Sequence, residues 1–240
     1  MQQYKINEIF YSLQGEGFHT GVPSVFVRFS GCNLACSFCD TAHASGTMMT
    51  AQEIADAINA YPQAPLIVLT GGEPSLFVTD EFISYLKTAT GKRIAMETNG
   101  THAVPSNIDW VTLSPKTGFQ GADAHPCILT ECHELKVVYL NQNLDMYSHI
   151  KAEHRFLQPC FVEDKEMCDT NIKACVEAVL AHPEWRLSLQ THRILNIRYL
   201  QHKYITGGIS KIGDAYAPSF VRLPVRKGTK KSQISLSGIA

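Results

Sequence analysis

Between residues 24 and 190, short apolar runs alternate with stretches whose apolar residues recur every three or four positions. The runs at 24–29, 66–69, 93–96, 110–113, 134–139, 154–157 and 185–189 have the length and the polar or glycine-rich borders of strands. The clearest helix opens at Thr50-Ala51-Gln52-Glu53, a capping box, and carries Ile54, Ala57, Ile58 and Tyr61 on one face. A second helix runs over 80–89 and stops at Gly91. A third places Ile172, Cys175, Val176, Val179 and Leu180 on one apolar stripe and ends before Pro183. Residues 103–108 and 143–150 read as shortened helices.

Strands separated by helices imply parallel βα units and an α/β sheet. About seven strands are too few for a closed eightfold barrel, so the pattern predicts a partial, open βα barrel. In such barrels the chemistry sits on loops at the carboxyl ends of the strands.

The pattern lapses after Arg198. Residues 199–240 hold seven of the 21 Lys and Arg residues and one of the 22 acids, Asp214. That leaves 14 basic and 21 acidic residues before it, so the two parts differ in sign, about +6 against about −7. We therefore expect a domain over 1–198 and a basic, poorly ordered extension over 199–240. Its charges are scattered, and nucleic-acid binding is not expected. No apolar run is long enough to span a bilayer, and residues 1–5 lack a signal-peptide pattern, so a cytoplasmic protein is expected.

Eight cysteines then require an explanation in a reducing compartment. Three crowd into Gly31-Cys32-Asn33-Leu34-Ala35-Cys36-Ser37-Phe38-Cys39-Asp40-Thr41, while Cys127, Cys132, Cys160, Cys168 and Cys175 are scattered and read as small core residues. Three thiolates in one loop suit three corners of an iron–sulfur cubane with one iron left open. They also suit a zinc site completed by a histidine such as His43. The loop by itself leaves both readings standing.

Cys-x3-Cys-x2-Cys with Phe38 before the last cysteine resembles the signature of the radical S-adenosylmethionine (SAM) superfamily. The glycine-rich turn Thr70-Gly71-Gly72-Glu73-Pro74, one βα unit later, matches that resemblance. It implies a 4Fe–4S cluster on Cys32, Cys36 and Cys39, whose open iron is chelated by SAM. Reduction then cleaves SAM to a radical that abstracts hydrogen from the substrate. Backbone carbonyls at Gly71 and Gly72, with Glu73, would receive the SAM ammonium group. Glu97-Thr98-Asn99-Gly100 and Ser114-Pro115-Lys116 would meet its carboxylate and ribose, and Gln158 its adenine. Phe38 and Asp40 would also face SAM.

Asn7-Glu8-Ile9-Phe10-Tyr11-Ser12-Leu13-Gln14-Gly15-Glu16-Gly17, together with Arg28, Cys39-Asp40-Thr41 and Gln190-Thr191-His192, resembles the 7-carboxy-7-deazaguanine synthases. The likeness spans about 4–198. It implies a lyase that converts 6-carboxy-5,6,7,8-tetrahydropterin to 7-carboxy-7-deazaguanine with release of ammonia, in queuosine and deazapurine biosynthesis. Leu13, Gln14, Gly15, Thr70 and His192 would contact the pterin, and Arg28 its carboxylate. Thr41 would bind Mg²⁺. The resemblance also implies a flavodoxin-type electron donor and a homodimer. Two departures stand out: 42 residues follow Arg198, and the segment between Cys39 and the Gly-Gly-Glu-Pro turn is short. The competing readings are a glycyl-radical enzyme activase, which shares the cysteine loop, and a zinc-binding interaction module.

Overall fold

Nine strands join one open sheet in the computed structural model, which describes residues 2–39, 45–119 and 125–197. All of these lie in the first of the two units into which the chain divides, residues 1–203. The expected extension at 199–240 lies outside the described residues. The strands are β1 (Gln3–Leu13), β2 (Pro23–Phe29), β3 (Thr47–Thr50), β4 (Leu66–Gly71), β5 (Arg93–Thr98), β6 (Trp110–Leu113), β7 (Glu131–Tyr139), β8 (Lys151–Pro159) and β9 (Arg186–Leu187). Their order is β3-β1-β2-β4-β5-β6-β7-β8-β9. From β2 to β9 every pairing is parallel, while β1 runs antiparallel to both β2 and β3. The expected open βα barrel forms.

All seven anticipated strands are present, and β1 and β3 are additions. An irregularity between Ile6 and Glu8 hides β1 from a period-two reading. Before it, Tyr4 and Ile6 face the helix-side core; after it, Ile9 does. The parity changes within one strand. β3 is a short edge whose residues are exposed or half-buried.

The helices are α1 (Ala51–Asn59), α2 (Asp80–Thr90), α3 (Lys165–Ala181) and the short α4 (Thr191–Ile194). In α1 both halves of the capping box form, and Ile54, Ala55 and Ile58 are buried. The stripe expected on α3 is only partly covered. Cys175 and Ala178 are buried, whereas Ile172, Val176 and Leu180 are exposed, Leu180 at 78%. The helix packs on β8 and the two-residue β9, so the sheet edge is too narrow to hide the whole stripe. Residues 103–108 form turns around Pro105, and 143–150 supply one 3-10 turn at Leu144–Tyr147.

Alternation along the strands separates two faces. Val25, Val27 and Phe29 of β2, Ile67 and Leu69 of β4, and Ile94 and Met96 of β5 lie in the core under α1 and α2. Leu135, Val137 and Leu157 lie in a second core with Cys175 and Ala178 of α3. A fully buried side chain of this kind contributes about 1.5–3 kcal/mol. On the opposite face Phe10, Phe26, Leu66, Val68, Ala95 and Trp110 form a small apolar floor. The same parity continues toward the carboxyl ends as Arg28, Thr70, Glu97, Lys136 and Gln158. Among the described residues, no helix is long and apolar enough to cross a membrane.

Candidate active site

The cysteine loop leaves the carboxyl end of β2. Cys32 and Cys36 are half-buried and Cys39 is exposed. Buried Leu34 anchors the loop, and its N–H reaches Cys32 Sγ at 3.4 Å. Cys39 N–H donates to the Cys36 carbonyl at 3.1 Å. Asn33 clamps the loop to the β5 side: its amide donates to Thr101 Oγ1 at 2.9 Å and its Oδ1 accepts from Asn99 Nδ2 at 3.1 Å. Burial pushes the Cys32 and Cys36 thiols up. Neighbouring negative charge adds to this, from Glu73, Cys39 and Cys36 at Cys32, while Lys116 opposes it at Cys36. The loop thus supplies three soft donors of the kind an iron–sulfur cluster takes, although among the described residues no three Cys, His or carboxylate groups are gathered closely enough to form a ready metal cage.

The Gly71-Gly72 turn is laced to that loop by the backbone. Gly72 N–H donates to the Phe29 carbonyl at 3.0 Å, and Glu73 N–H to the Gly31 carbonyl at 2.9 Å. Gly71 has φ +109°, and a Cβ there would lie 2.5 Å from Arg28 Cγ and 2.6 Å from the Phe29 carbonyl oxygen. A Cβ at Gly72 would overlap the Gly31 carbonyl. Only glycine allows the two backbones this close. Glu73 is buried. Its Oε1 accepts from Ser75 N–H at 3.1 Å and Thr98 Oγ1 at 2.7 Å, and its Oε2 from Asn99 N–H at 2.7 Å. It therefore pins the turn to the end of β5.

A polar network occupies the helix-free face. Glu97 accepts from Gln14 Nε2 at 3.1 Å and Thr70 Oγ1 at 2.7 Å. Lys136 Nζ lies 2.5 Å from Glu16 Oε2 and 3.5 Å from Glu97 Oε1. Gln190 Nε2 donates to the other Glu16 oxygen at 2.9 Å. Burial would raise the Glu16 carboxyl, but the charge and hydrogen bond of Lys136, the Gln190 hydrogen bond and the His192 charge bring it down to about 2. Burial of Lys136 is outweighed by Glu16, Glu97 and Glu134, which hold its ammonium group well above the ordinary lysine range. Glu134 is itself pushed up, mainly by burial, although Phe18 N–H and Trp110 Nε1 donate to it at 3.2 and 3.3 Å.

The chain between β1 and β2 crosses this face. Gly17 N–H donates to Ser188 Oγ at 2.9 Å, and Ser188 Oγ donates to Gln158 Oε1 at 2.9 Å. Phe18 stacks on Trp110 and His154 with centroids 4.7 and 4.4 Å apart. The Gly15 carbonyl accepts from Thr191 N–H, which brings buried His192 against Gly15.

Of the expected site residues that are described, the cysteine loop, Gly71–Glu73, Arg28, Thr70 and Gln158 lie at the carboxyl ends of the parallel strands, whereas Leu13 lies at the amino end of β2. Arg28 Nε is held by Glu8 at 2.8 Å, its cross-strand partner, and its guanidinium lies over Phe10 at 5.7 Å. Leu13 ends β1 opposite Pro23. Lys116 Nζ donates to the Ser114 carbonyl and hydroxyl at 2.6 and 2.7 Å. Burial lowers the Lys116 ammonium, against the pull of Cys36. Phe38 meets Phe119 edge-on at 5.0 Å. Asp40, Thr41 and His43 lie outside the described residues.

Two participants escaped individual notice in the sequence, Glu16 and Lys136, while Glu97, expected at the SAM carboxylate and ribose, is engaged by Gln14 and Thr70. For Lys136 the available signal was Glu134-Leu135-Lys136-Val137, which alternates charge with apolar residues in a strand deep within a parallel sheet. Such strands ordinarily read as continuous apolar runs.

Comparison with known proteins agrees with this geometry. The Radical SAM superfamily matches residues 26–121. The 7-carboxy-7-deazaguanine synthase of Bacteroides thetaiotaomicron is 53% identical over 194 residues, covering 81% of this chain and 98% of the relative. That of Caulobacter vibrioides is 39% identical over 217 residues, covering 81% and 99%. The crystal structure of QueE from Escherichia coli superposes with TM-score 0.61 at 27% identity, covering 78% of this chain and 93% of that one. The chain belongs to the 7-carboxy-7-deazaguanine synthase family of radical SAM enzymes.

Proposed function

We propose that this chain converts 6-carboxy-5,6,7,8-tetrahydropterin into 7-carboxy-7-deazaguanine and ammonia, a lyase step toward queuosine and related deazapurines. The observation that carries this reading is the interlocked Gln14–Glu97–Thr70 cluster on the helix-free face, beside Arg28. A carboxylate braced by two donors suits the amino and ring N–H groups of a pterin. Arg28, oriented by Glu8, has the fork that matches the substrate carboxylate. Product and ammonia together contain all the atoms of the substrate, so the conversion is redox-neutral, in keeping with SAM as a regenerated cofactor.

Cys32, Cys36 and Cys39 would hold the 4Fe–4S cluster, which with SAM supplies the hydrogen-abstracting radical chemistry. Gly71 and Gly72 offer close backbone to the SAM ammonium group. Glu73, with three donors already bound, keeps one acceptor position of its four for the same group. Phe38, Asp40, Ser114, Lys116 and Gln158 complete the SAM site. Leu13, Gln14, Gly15, Thr70 and His192 enclose the pterin, with Thr41 as the Mg²⁺ ligand. A flavodoxin-type donor, a homodimer and a cytoplasmic location belong to the same reading. Residues 1–198 would be the catalytic domain, and 199–240 a basic extension outside it.

The protein, reconstituted anaerobically with iron and sulfide, is to be given reductant, SAM, Mg²⁺ and 6-carboxytetrahydropterin and assayed by mass spectrometry. Formation of 7-carboxy-7-deazaguanine with little net loss of SAM is expected. SAM cleavage without that product would discard the pterin assignment and favour an activase. A colourless protein that takes up zinc and no iron would return the zinc module.

A further inference from the structure

The helix-free face contains one arrangement that the reading above does not use. Lys136 is 6% exposed and sits in the middle of β7. Its ammonium group touches a carboxylate from the β1–β2 connection, Glu16, and approaches one from the end of β5, Glu97. Each partner is engaged elsewhere as well: Glu16 accepts from Gln190 at its other oxygen, and Glu97 accepts from Gln14 at the same Oε1 and from Thr70 at Oε2. One cation therefore joins four separate segments.

The charges around it do not balance locally. Glu16 faces Lys136 from the connection, Glu97 from β5, and Glu134 from its own strand. Lys116 adds positive charge from the loop after β6, and His192 of α4 acts on Glu16. Neutral, Lys136 would leave carboxylates crowded together in a poorly solvated place. A buried carboxylate without a counter-charge takes up a proton, and protonation turns one of its oxygens into an O–H donor, which no longer suits an N–H group facing it.

We propose that Lys136 is a positioning residue that holds Glu16 and Glu97 ionised and aimed for recognition of the hydrogen-bond-donating edge of the substrate heterocycle. This rests on the pterin reading. Lys136 does not touch the reacting atoms and acts through the two carboxylates. Its position makes substrate binding sensitive to charge at residue 136, and makes a flat heterocycle with adjacent N–H donors the ligand class the face selects.

The test uses 6-carboxypterin, a fluorescent and redox-inert probe, titrated into the reconstituted enzyme with SAM between pH 5 and pH 8. Lys136→Met is expected to weaken binding about 100-fold at neutral pH, as truncation in a buried charge pair does. The acidic limb of its binding profile should move to higher pH, because carboxylates without the ammonium group retain protons longer. Lys136→Arg should recover at least a tenth of wild-type affinity with the wild-type pH profile. A merely structural residue would alter melting temperature without moving that limb.

If Lys136→Met proves unstable, Lys136→Met/Glu134→Gln, which removes one negative charge along with the positive one, serves in its place with the same expectation. Wild-type affinity and pH profile in a folded variant lacking the ammonium group would overturn the proposal. Failure of the wild type to bind 6-carboxypterin would instead bring down the pterin reading, and this proposal with it.

Discussion

The carbonyl oxygen of Gly15 accepts hydrogen bonds from both the N–H and the hydroxyl of Thr191, each at 2.9 Å, across 176 residues of sequence. This contact seats the next side chain, His192, against Gly15, where a Cβ would overlap ring atom Nδ1. Two segments near opposite ends of the described chain thereby close one wall of the site.

Gly15→Ala should therefore displace His192 and cost about 1–3 kcal/mol through overpacking. Thermal melting of the variant reads the stability loss, and product formation should fall with it. In a His192→Ala background the added methyl has room, so the penalty of Gly15→Ala should largely vanish. Equal penalties in both backgrounds would contradict the contact.

Gly72→Ala tests the lacing between the two motifs. The methyl group would meet the Gly31 carbonyl immediately before Cys32, and backbone has little freedom to move away. The cysteine loop should shift, and reconstitution should yield less iron and sulfide per chain and weaker SAM binding. Full cluster content with unchanged SAM affinity would show that the turn tolerates the separation.

Low pH should expose the Glu16–Lys136 pair. Glu16 is held near 2 in the folded chain against an ordinary 4.5. Its contribution to stability is thus complete above about 4.5 and is lost as pH falls toward 2. Glu134 works in the opposite sense, since its raised carboxyl disfavours the folded state once ionised. Urea unfolding of Glu16→Gln should lose less stability than the wild type between pH 4.5 and pH 2. Parallel profiles would mean that the pair does not govern this range.

Alkylation should separate the two classes of cysteine. Cys132 and Cys175 are buried and their thiols are pushed up to about 12, so at pH 8 they remain thiols out of reach. Iodoacetamide applied to the native, cluster-free protein should label exposed Cys39 first. Peptide mass mapping that found Cys175 modified as early as Cys39 would argue against the packing of α3.

The local sequence determined a good deal. Strands β2 and β4–β9, the capping box of α1 and the stop of α2 at Gly91 each depend on apolar period, capping groups or turn residues within a few positions. The cysteine loop and the Gly-Gly turn are likewise legible, because their chemistry is carried by residue types at fixed short spacing. Strand β1 was not, since its irregularity at Ile6 and Glu8 reverses which residues face the core. The exposed stripe of α3 was not either, because the width of sheet beneath a helix is a property of the assembled edge.

Tertiary structure alone decided how the site is held together. Lys136 meets Glu16 120 residues away in sequence, Gln14 meets Glu97 across 83, and Gln190 meets Glu16 across 174. No local period or propensity encodes such pairs. They arise because parallel strands bring their carboxyl ends to one side, while the β1–β2 connection is drawn across the face they share. Burial there turns ordinary charged residues into a coupled network, and burial is a consequence of the whole fold.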